Sequence, residues 1–301
     1  MERPIQTGKK SLLSFVLSRC VKVAAIFLDF PMFVRVVLTL NSPETNVLTR
    51  RDPRVIYKYL GGYLARSFSR GDRARILINH YAYLENCLAA GCLKELANAP
   101  LTLWQQHMDG ASYRIYLAIP KKIAHTEGDL SLVFQQNDVD IFTLSFTNAP
   151  GCIADLAVSN VMYIARVQGK GGRWHLIKEA TKRCHDVSPA VLLLAAAEGI
   201  AKCLSIKSLI GVSTADQLSI GETSDPSQWG LVYDQFWRSM GGESINHHMF
   251  HIPVPLLEKN LSLIKSKHRS RVVRKRQFKH EVTDHVQRVF QQNAMGAGAA
   301  E

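Results

Sequence analysis

The stretch from Ile141 to Gly242 constrains the fold of this chain more than any other. It reads as two strands, then a glycine-rich turn, Val167-Gln168-Gly169-Lys170-Gly171-Gly172-Arg173. A long apolar helix runs from Pro189 to Lys202, a short apolar strand from Ile206 to Val212, and an aromatic helix from Tyr233 closes on Gly241-Gly242. Few folds pass from antiparallel strands through a turn and a helix into a parallel strand. A helix that joins two parallel strands of one sheet makes a right-handed crossover. Ser188 stands where an N-cap belongs, and Pro189 occupies the first helical position, where its missing N–H costs nothing. The helix that follows is apolar on nearly every face, so it must be buried. Arg173 to Lys182 also reads as a helix.

Upstream, the hydrophobic period is two. Tyr113, Ile115 and Leu117 alternate with Arg114, Tyr116 and Ala118; Leu130, Leu132 and Phe134 with Ser131, Val133 and Gln135; Phe142, Leu144 and Phe146 with Thr143, Ser145 and Thr147. Val161, Tyr163, Ala165 and Val167 form a fourth set. Such alternation marks strands with unlike faces, and an antiparallel meander with a hairpin at Gln136-Asn-Asp138 is the simplest pairing. Before these strands the period is helical: Ile76, His80, Tyr83 and Leu84 fall near one helix face. Residues 41–55 carry turn and breaker residues and read as a loop. Met249 to Val254 reads as a last strand. The expected class is therefore α+β, with a helical N-terminal region, a mixed and mostly antiparallel sheet, and a basic C-terminal helix. Its divisions are 1–54 (amphipathic helices and loop), 55–110 (helical), 111–257 (the α/β core) and 258–301 (basic helix and flexible tail).

Charge and cysteine usage narrow the partners. The formal net charge is +12, and Glu258–Phe290 alone holds ten Lys/Arg against three acidic residues. Within it, Lys265, Lys267, Arg269, Arg271, Arg274, Lys275 and Arg276 form an anion-binding candidate for lipid headgroups, nucleic acid or a polyanionic substrate. No aromatic stacking platform accompanies these cations, which favours the membrane over single-stranded nucleic acid. A solvated basic face fits the same residues. Residues 11–40 read as amphipathic helices that pack on the domain or rest on a membrane surface; neither apolar run reaches the ~20 residues of a bilayer span. The six scattered cysteines form no Cys-x-x-Cys pair. They imply neither zinc nor a disulfide framework, and they suit a reducing cytoplasm, with the inner membrane periphery as a second location. No metal is expected.

Three further stretches carry chemistry. The turn at Gln168, Gly169 and Gly171 would let backbone N–H groups approach an anion, although an ordinary glycine turn fits the same residues. Lys182, with the free N–H groups at the next helix start, would hold a phosphate; basic helix-end chemistry is the bland alternative. His80 titrates in the range of a general acid–base, provided it lines a cleft.

Several blocks taken together resemble the VirK/YbjX family of bacterial proteins over roughly residues 55–290. They are His80-Tyr81, His125-Thr-Glu-Gly-Asp-Leu-Ser-Leu132, Leu144-Ser-Phe146, Lys182-Arg-Cys-His-Asp-Val-Ser-Pro189, Gly211-Val-Ser213, Tyr233-Asp-Gln-Phe-Trp-Arg-Ser-Met-Gly-Gly242 and Ile264-Lys-Ser-Lys-His-Arg269. Asp186, Thr214 and Gln217 depart from that pattern, where glycine, asparagine and histidine are usual. The resemblance implies association with a Gram-negative envelope and with virulence, and no agreed activity. The order of elements also looks like the fold of GCN5-related acyltransferases, in which the turn's amides hold the coenzyme A pyrophosphate. That likeness implies acyl-CoA as cofactor, with Gln168, Gly169, Gly171, Lys182 and His185 lining its phosphate site. His80 or Tyr233 would be the catalytic acid–base, and a peptide or envelope component the acceptor. About fifteen residues, Arg173 to Ser188, stand between the turn and the helix at Pro189, a departure from that fold.

Overall fold

In the computed structural model, residues 24, 26–120, 126–219 and 232–295 are described. The expected readings of residues 11–23 and of the tail beyond Met295 lie outside them. Among the described residues the architecture is one eight-stranded sheet whose strands follow chain order, except that the last two are exchanged at one edge. Strands β1 (Leu101–Met108), β2 (Ala111–Ala118), β3 (Leu130–Gln136), β4 (Val139–Pro150) and β5 (Asn160–Gly169) form the antiparallel meander. Helices α5 (Trp174–Arg183) and α6 (Pro189–Cys203) cross to β6 (Ser208–Val212), which runs parallel to β5. Helix α7 (Val232–Ser239) leads to the antiparallel strands β7 (Glu243–Ser244) and β8 (Met249–Pro253). Asn137 and Asp138 both take positive φ, 47° and 61°, the geometry of a tight hairpin turn that matches strand twist.

Register shows why alternation works here. Ile115 faces Phe134, and Leu117 faces Leu132, on the side covered by α6; Tyr116 faces Val133, and Ser131 faces Ser145, on the other. Two bulges break the simple period. One inserts Ile141 into β4, so that Asp140 pairs with Gln135 and joins the polar face with Thr143. The second inserts Ala165 into β5. The expected set Val161, Tyr163, Ala165, Val167 is therefore divided: Tyr163 pairs with Thr147 on the polar side, and Val167 pairs with Leu144 on the apolar side. A bulge adds one residue to one strand and reverses the facing of everything beyond it.

Strand β1 lies inside the span expected to be helical. It is an edge strand with a register shift between Thr102 and Trp104, and its Gln105, Gln106 and His107 are exposed. No period of two survives there. The expected loop 41–55 likewise contains α2 (Asn46–Arg51) and the start of a 3-10 helix (Pro53–Leu60). Its breakers mark a helix start: the Asp52 carboxylate accepts from the Arg54 N–H at 3.1 Å, with Pro53 in the first turn. Ser188 precedes Pro189 in cap position but its side chain makes no cap bond.

The remaining N-terminal helices are α1 (Phe30–Leu40), α3 (Arg70–Cys87) and α4 (Cys92–Asn98). Helix α3 starts at a capping box between Ser69 and Asp72 and packs on β4. The C-terminal helix α8 (Ser266–Ala294) is basic only in its first half. Phe278, Val282, Val286 and Phe290 are buried, so the second half belongs to the same core as the sheet. It approaches α6 so closely at Gly199 that a Cβ there would stand 2.6 Å from the Thr283 carbonyl oxygen. Among the described residues no helix is long and apolar enough to cross a membrane.

Candidate functional site

The polar face of β2–β5 has two halves. Over one, α3 and the 3-10 helix seal a buried charge cluster around Asp129. Lys58 Nζ lies 2.8 Å from Asp129 Oδ1, and both side chains have no solvent exposure. Tyr81 donates to the same oxygen at 3.0 Å, while Tyr63 and Thr147 donate to Oδ2, Thr147 at 2.7 Å. The Asp129 N–H donates to Thr147 Oγ1 at 3.1 Å. Burial pushes the carboxyl up, but Lys58 and the hydroxyl donors outweigh it and hold Asp129 well below the usual carboxylate range. Gly128 makes the close approach possible: at φ +143° its missing Cβ would stand 2.8 Å from Ser145 Cβ.

Over the other half the face is open. A cleft of about 510 Å³ lies between the sheet and the segment Leu96–Pro100, with Arg51 on its wall. Tyr116, Ser131, Asp140, Thr143, Ser145 and Arg166 contribute to its lining, and Lys170 stands at the end of β5. The two bulges aim Asp140 and Arg166 onto this face. Tyr116 donates to Asp140 Oδ1 at 3.0 Å, Gln135 Nε2 donates to the same oxygen at 2.7 Å, and Arg114 Nε donates to Gln135 Oε1 at 2.8 Å. The Ser131 and Ser145 hydroxyls bond each other at 2.8 Å, and Arg166 Nη1 lies 3.4 Å from Glu127. Thr143 Oγ1 is buried without a hydrogen-bond partner among the described residues, on a side chain 5% exposed.

The residues singled out from sequence fall in four separate places. His80 has no exposure and lines no cleft; its Nδ1 accepts from the Asn148 N–H at 3.0 Å. Burial lowers its pKa to about 4, so it is a neutral histidine at physiological pH. Tyr233 sits at the β5/β6 junction. These parallel strands pair only over Met162–Ile164 and Leu209–Gly211. Beyond that, two side chains take the β5 backbone groups: Tyr233 accepts from the Val167 N–H at 3.1 Å, and Gln217 donates to the Ala165 carbonyl at 2.6 Å. Burial raises the Tyr233 pKa.

Gln168, Gly169 and Gly171 lie at the start of α5, and Lys182 and His185 at its far end, with a ten-residue helix of ~15 Å between them. They do not form one phosphate site. The helix also fills most of the expected interruption at Arg173–Ser188, so the glycine turn runs directly into a helix. Gly169 is held by packing, since a Cβ would meet Ile177 at 2.8 Å, whereas Gly171 has open space. Exposed His185 stacks edge-on against Phe278, and Asp186 takes φ +59°, a left-handed conformation that glycine adopts most freely. Asp186 also binds the Arg271 guanidinium at 2.9 Å, and its carbonyl accepts from Lys275 at 2.7 Å.

Four of the seven basic candidates on or beside α8 are thus engaged within the chain. Arg271 and Lys275 hold Asp186; Arg276 pairs with Glu258 at 3.1 Å; Arg269 donates to the Ile264 carbonyl at 2.9 Å. Lys265, Lys267 and Arg274 are exposed. The sequence reading missed Arg51, Asp140, Thr143 and Arg166 as site residues. The signal was the run of Thr, Ser, Gln and Arg on the second face of strands whose first face is apolar.

The chain matches, over residues 18–291, the family described as "Protein of unknown function (DUF535)". It belongs to that family. It is 27% identical over 254 residues to the uncharacterized protein YbjX of Escherichia coli (strain K12), covering 81% of this chain and 73% of that one. It is also 29% identical over 115 residues, 38% of each chain, to an uncharacterized protein of Haemophilus influenzae. The VirK/YbjX resemblance read from the sequence blocks agrees with this membership. No solved structure matches.

Proposed function

We propose that this family member is an acyl-CoA-dependent acyltransferase acting on a peptide or envelope-derived acceptor. The observation that carries the reading is the β5/β6 junction: a parallel pair that stops after three residues, beside a glycine turn that enters a helix directly. This is the order of elements that the acyltransferase likeness implies. The residues present suit an acyl-CoA. Helix α5 has no side-chain cap at Arg173, and the turn before it leaves Gly171 and Gly172 open to an approaching anion. Coenzyme A, when bound, supplies a thioester carbonyl open to attack by an amine or hydroxyl. Tyr233, kept protonated by its raised pKa, is suited to donate a proton to a leaving group rather than to accept one. The Tyr233 oxygen accepts from the Val167 N–H at 3.1 Å, which leaves its own proton to donate and would steady the phenolate left behind. His80 takes no part, being sealed and neutral.

Gly171→Asp tests the reading cleanly. No atom lies within 4 Å of the new Cβ, so the fold is expected to survive, while a carboxylate in the turn repels a pyrophosphate. Calorimetry with acetyl-CoA and a long-chain acyl-CoA is expected to show binding to the native chain and its loss in the variant. Equal binding by both would reject the site.

A second reading rests on α8. Lys265, Lys267 and Arg274 are exposed, and so are Leu263 and Val273, close to them in sequence, at 81% and 44%. Cations with apolar neighbours suit an anionic lipid surface at the inner membrane, and nucleic acid less well. Reversing these three charges is expected to abolish salt-sensitive binding to anionic vesicles.

A further inference from the structure

We infer that the open cleft over β2–β5 is a binding site for a small polar organic anion, with a phosphate or carboxylate head and a hydroxyl-bearing body. The inference stands on the cleft alone and holds whether or not the chain transfers acyl groups. At about 510 Å³ the cleft falls within the usual range of small-molecule pockets. Its floor is polar although it lies on a sheet face that packs against helices elsewhere.

Charge gives the sign of the ligand. Arg51, Arg166 and Lys170 stand on the lining with one lining acid, Asp140. Glu127 pairs with Arg166 from beside it at 3.4 Å, which leaves Arg51 and Lys170 to set the sign. Asp140 is already held by Tyr116 and by Gln135, which in turn takes the Arg114 guanidinium. Among the described residues no acid answers Lys170 in the same way: its backbone N–H is fixed to the Ile141 carbonyl at 2.9 Å, while its side chain is exposed at the cleft mouth. An exposed ammonium at the mouth, with the Arg51 guanidinium on the wall, suits a phosphate or carboxylate.

The body of the ligand is read from Thr143. Buried hydroxyls in folded proteins nearly always have a partner, because leaving one unmade costs stability. Thr143 Oγ1 has none among the described residues, although Thr147, four residues on along the same face of β4, has two. Beside it the Ser131–Ser145 pair offers further lone pairs. A ligand hydroxyl placed over Thr143 would complete the pattern.

The test is binding to the full chain without coenzyme A, followed by amide chemical shifts. The probes are glucose 6-phosphate, glucuronate, uncharged glucose and inorganic phosphate. At least one sugar anion is expected to bind and to shift Thr143, Ser145 and Lys170, with glucose far weaker. The head group is assigned by whichever sugar anion wins. Thr143→Val and Lys170→Gln are each expected to weaken it roughly fivefold, with the melting temperature of Thr143→Val unchanged or raised. Binding of inorganic phosphate alone would mean an adventitious ion only and would overturn the inference. So would no binding by either sugar anion, or equal binding by native chain and both variants.

Discussion

The two halves of the polar sheet face are built from the same strands and the same alternation, yet they solve opposite problems. In the sealed half every described group on Asp129 has a partner: Lys58, Tyr63, Tyr81 and Thr147 all converge on it. In the open half the acid is satisfied from below, while a hydroxyl and an ammonium face the cleft with no partner among the described residues. A polar group that is buried and answered fastens the N-terminal helices to the sheet. An unanswered polar group at an open cleft, such as Thr143, is a candidate contact for a ligand, whereas among the described residues His80 Nε2 and the Tyr163 hydroxyl in the sealed half are unanswered with no cleft beside them. Residue type alone does not separate the two, since both halves are made of Thr, Ser, Tyr and charged pairs.

The largest expected effect lies in the sealed half. Asp129→Ala leaves Lys58 buried without its counter-charge and is expected to cost about 3–5 kcal/mol in urea unfolding. Lys58→Met combined with Asp129→Leu is expected to cost much less, because no uncompensated charge remains. A double variant as unstable as the single would show that the pair contributes through shape rather than charge.

The next effect is a pH dependence that belongs to the sealed half alone. His80 has its folded pKa lowered to about 4 by burial, against 6.5 for the free group. As pH falls from 6.5 to 4 the unfolded chain takes up a proton that the folded chain does not. Stability is therefore fully present above 6.5 and declines through that window by on the order of 3 kcal/mol. Asp129, with a depressed pKa, adds a separate loss only below the ordinary carboxylate range, as pH falls toward its folded value. His80→Gln is expected to flatten the window between 6.5 and 4 and to leave the more acidic loss in place. An unchanged slope in that variant would assign the window to another group.

Gly128 stands at the boundary between the halves. At φ +143° and with Ser145 and Phe146 against it, Gly128→Ala is expected to cost roughly 1–3 kcal/mol. It should also disturb Ser145 in the open half. Lys170→Gln, confined to the cleft mouth, is expected to change stability by less than about 0.5 kcal/mol.

Much of the architecture was legible because it depends on period. The meander from Tyr113 to Val167, the helices at Trp174 and Pro189, and the parallel strand at Ile206–Val212 were all readable from spacing. Trp237 is core: its indole lies where a Cβ on Gly211 would come within 2.3 Å of it, and its N–H donates to the Val212 carbonyl at 2.7 Å. What the sequence hid were the places where one residue breaks the period. Ile141 and Ala165 are ordinary apolar residues, and nothing in their identity announces a bulge. Yet those bulges turn Asp140 and Arg166 onto the cleft face. His80 illustrates the converse. Its titration range invited a catalytic role, and only the packing of α3 on β4 shows that it is sealed.

The most direct test of the contrast between the halves uses one chemical change at two sites. Thr143 and Thr147 lie on the same face of β4, and Thr→Val removes only the hydroxyl from each. Thr147→Val takes a donor from Asp129 Oδ2 and an acceptor from the Asp129 N–H, and is expected to cost about 1.5–3 kcal/mol. Thr143→Val removes a buried hydroxyl that nothing answers, and its urea midpoint is expected to stay put or rise. Equal losses at the two positions, or a larger loss at Thr143, would contradict the division of this face into a structural half and a binding half.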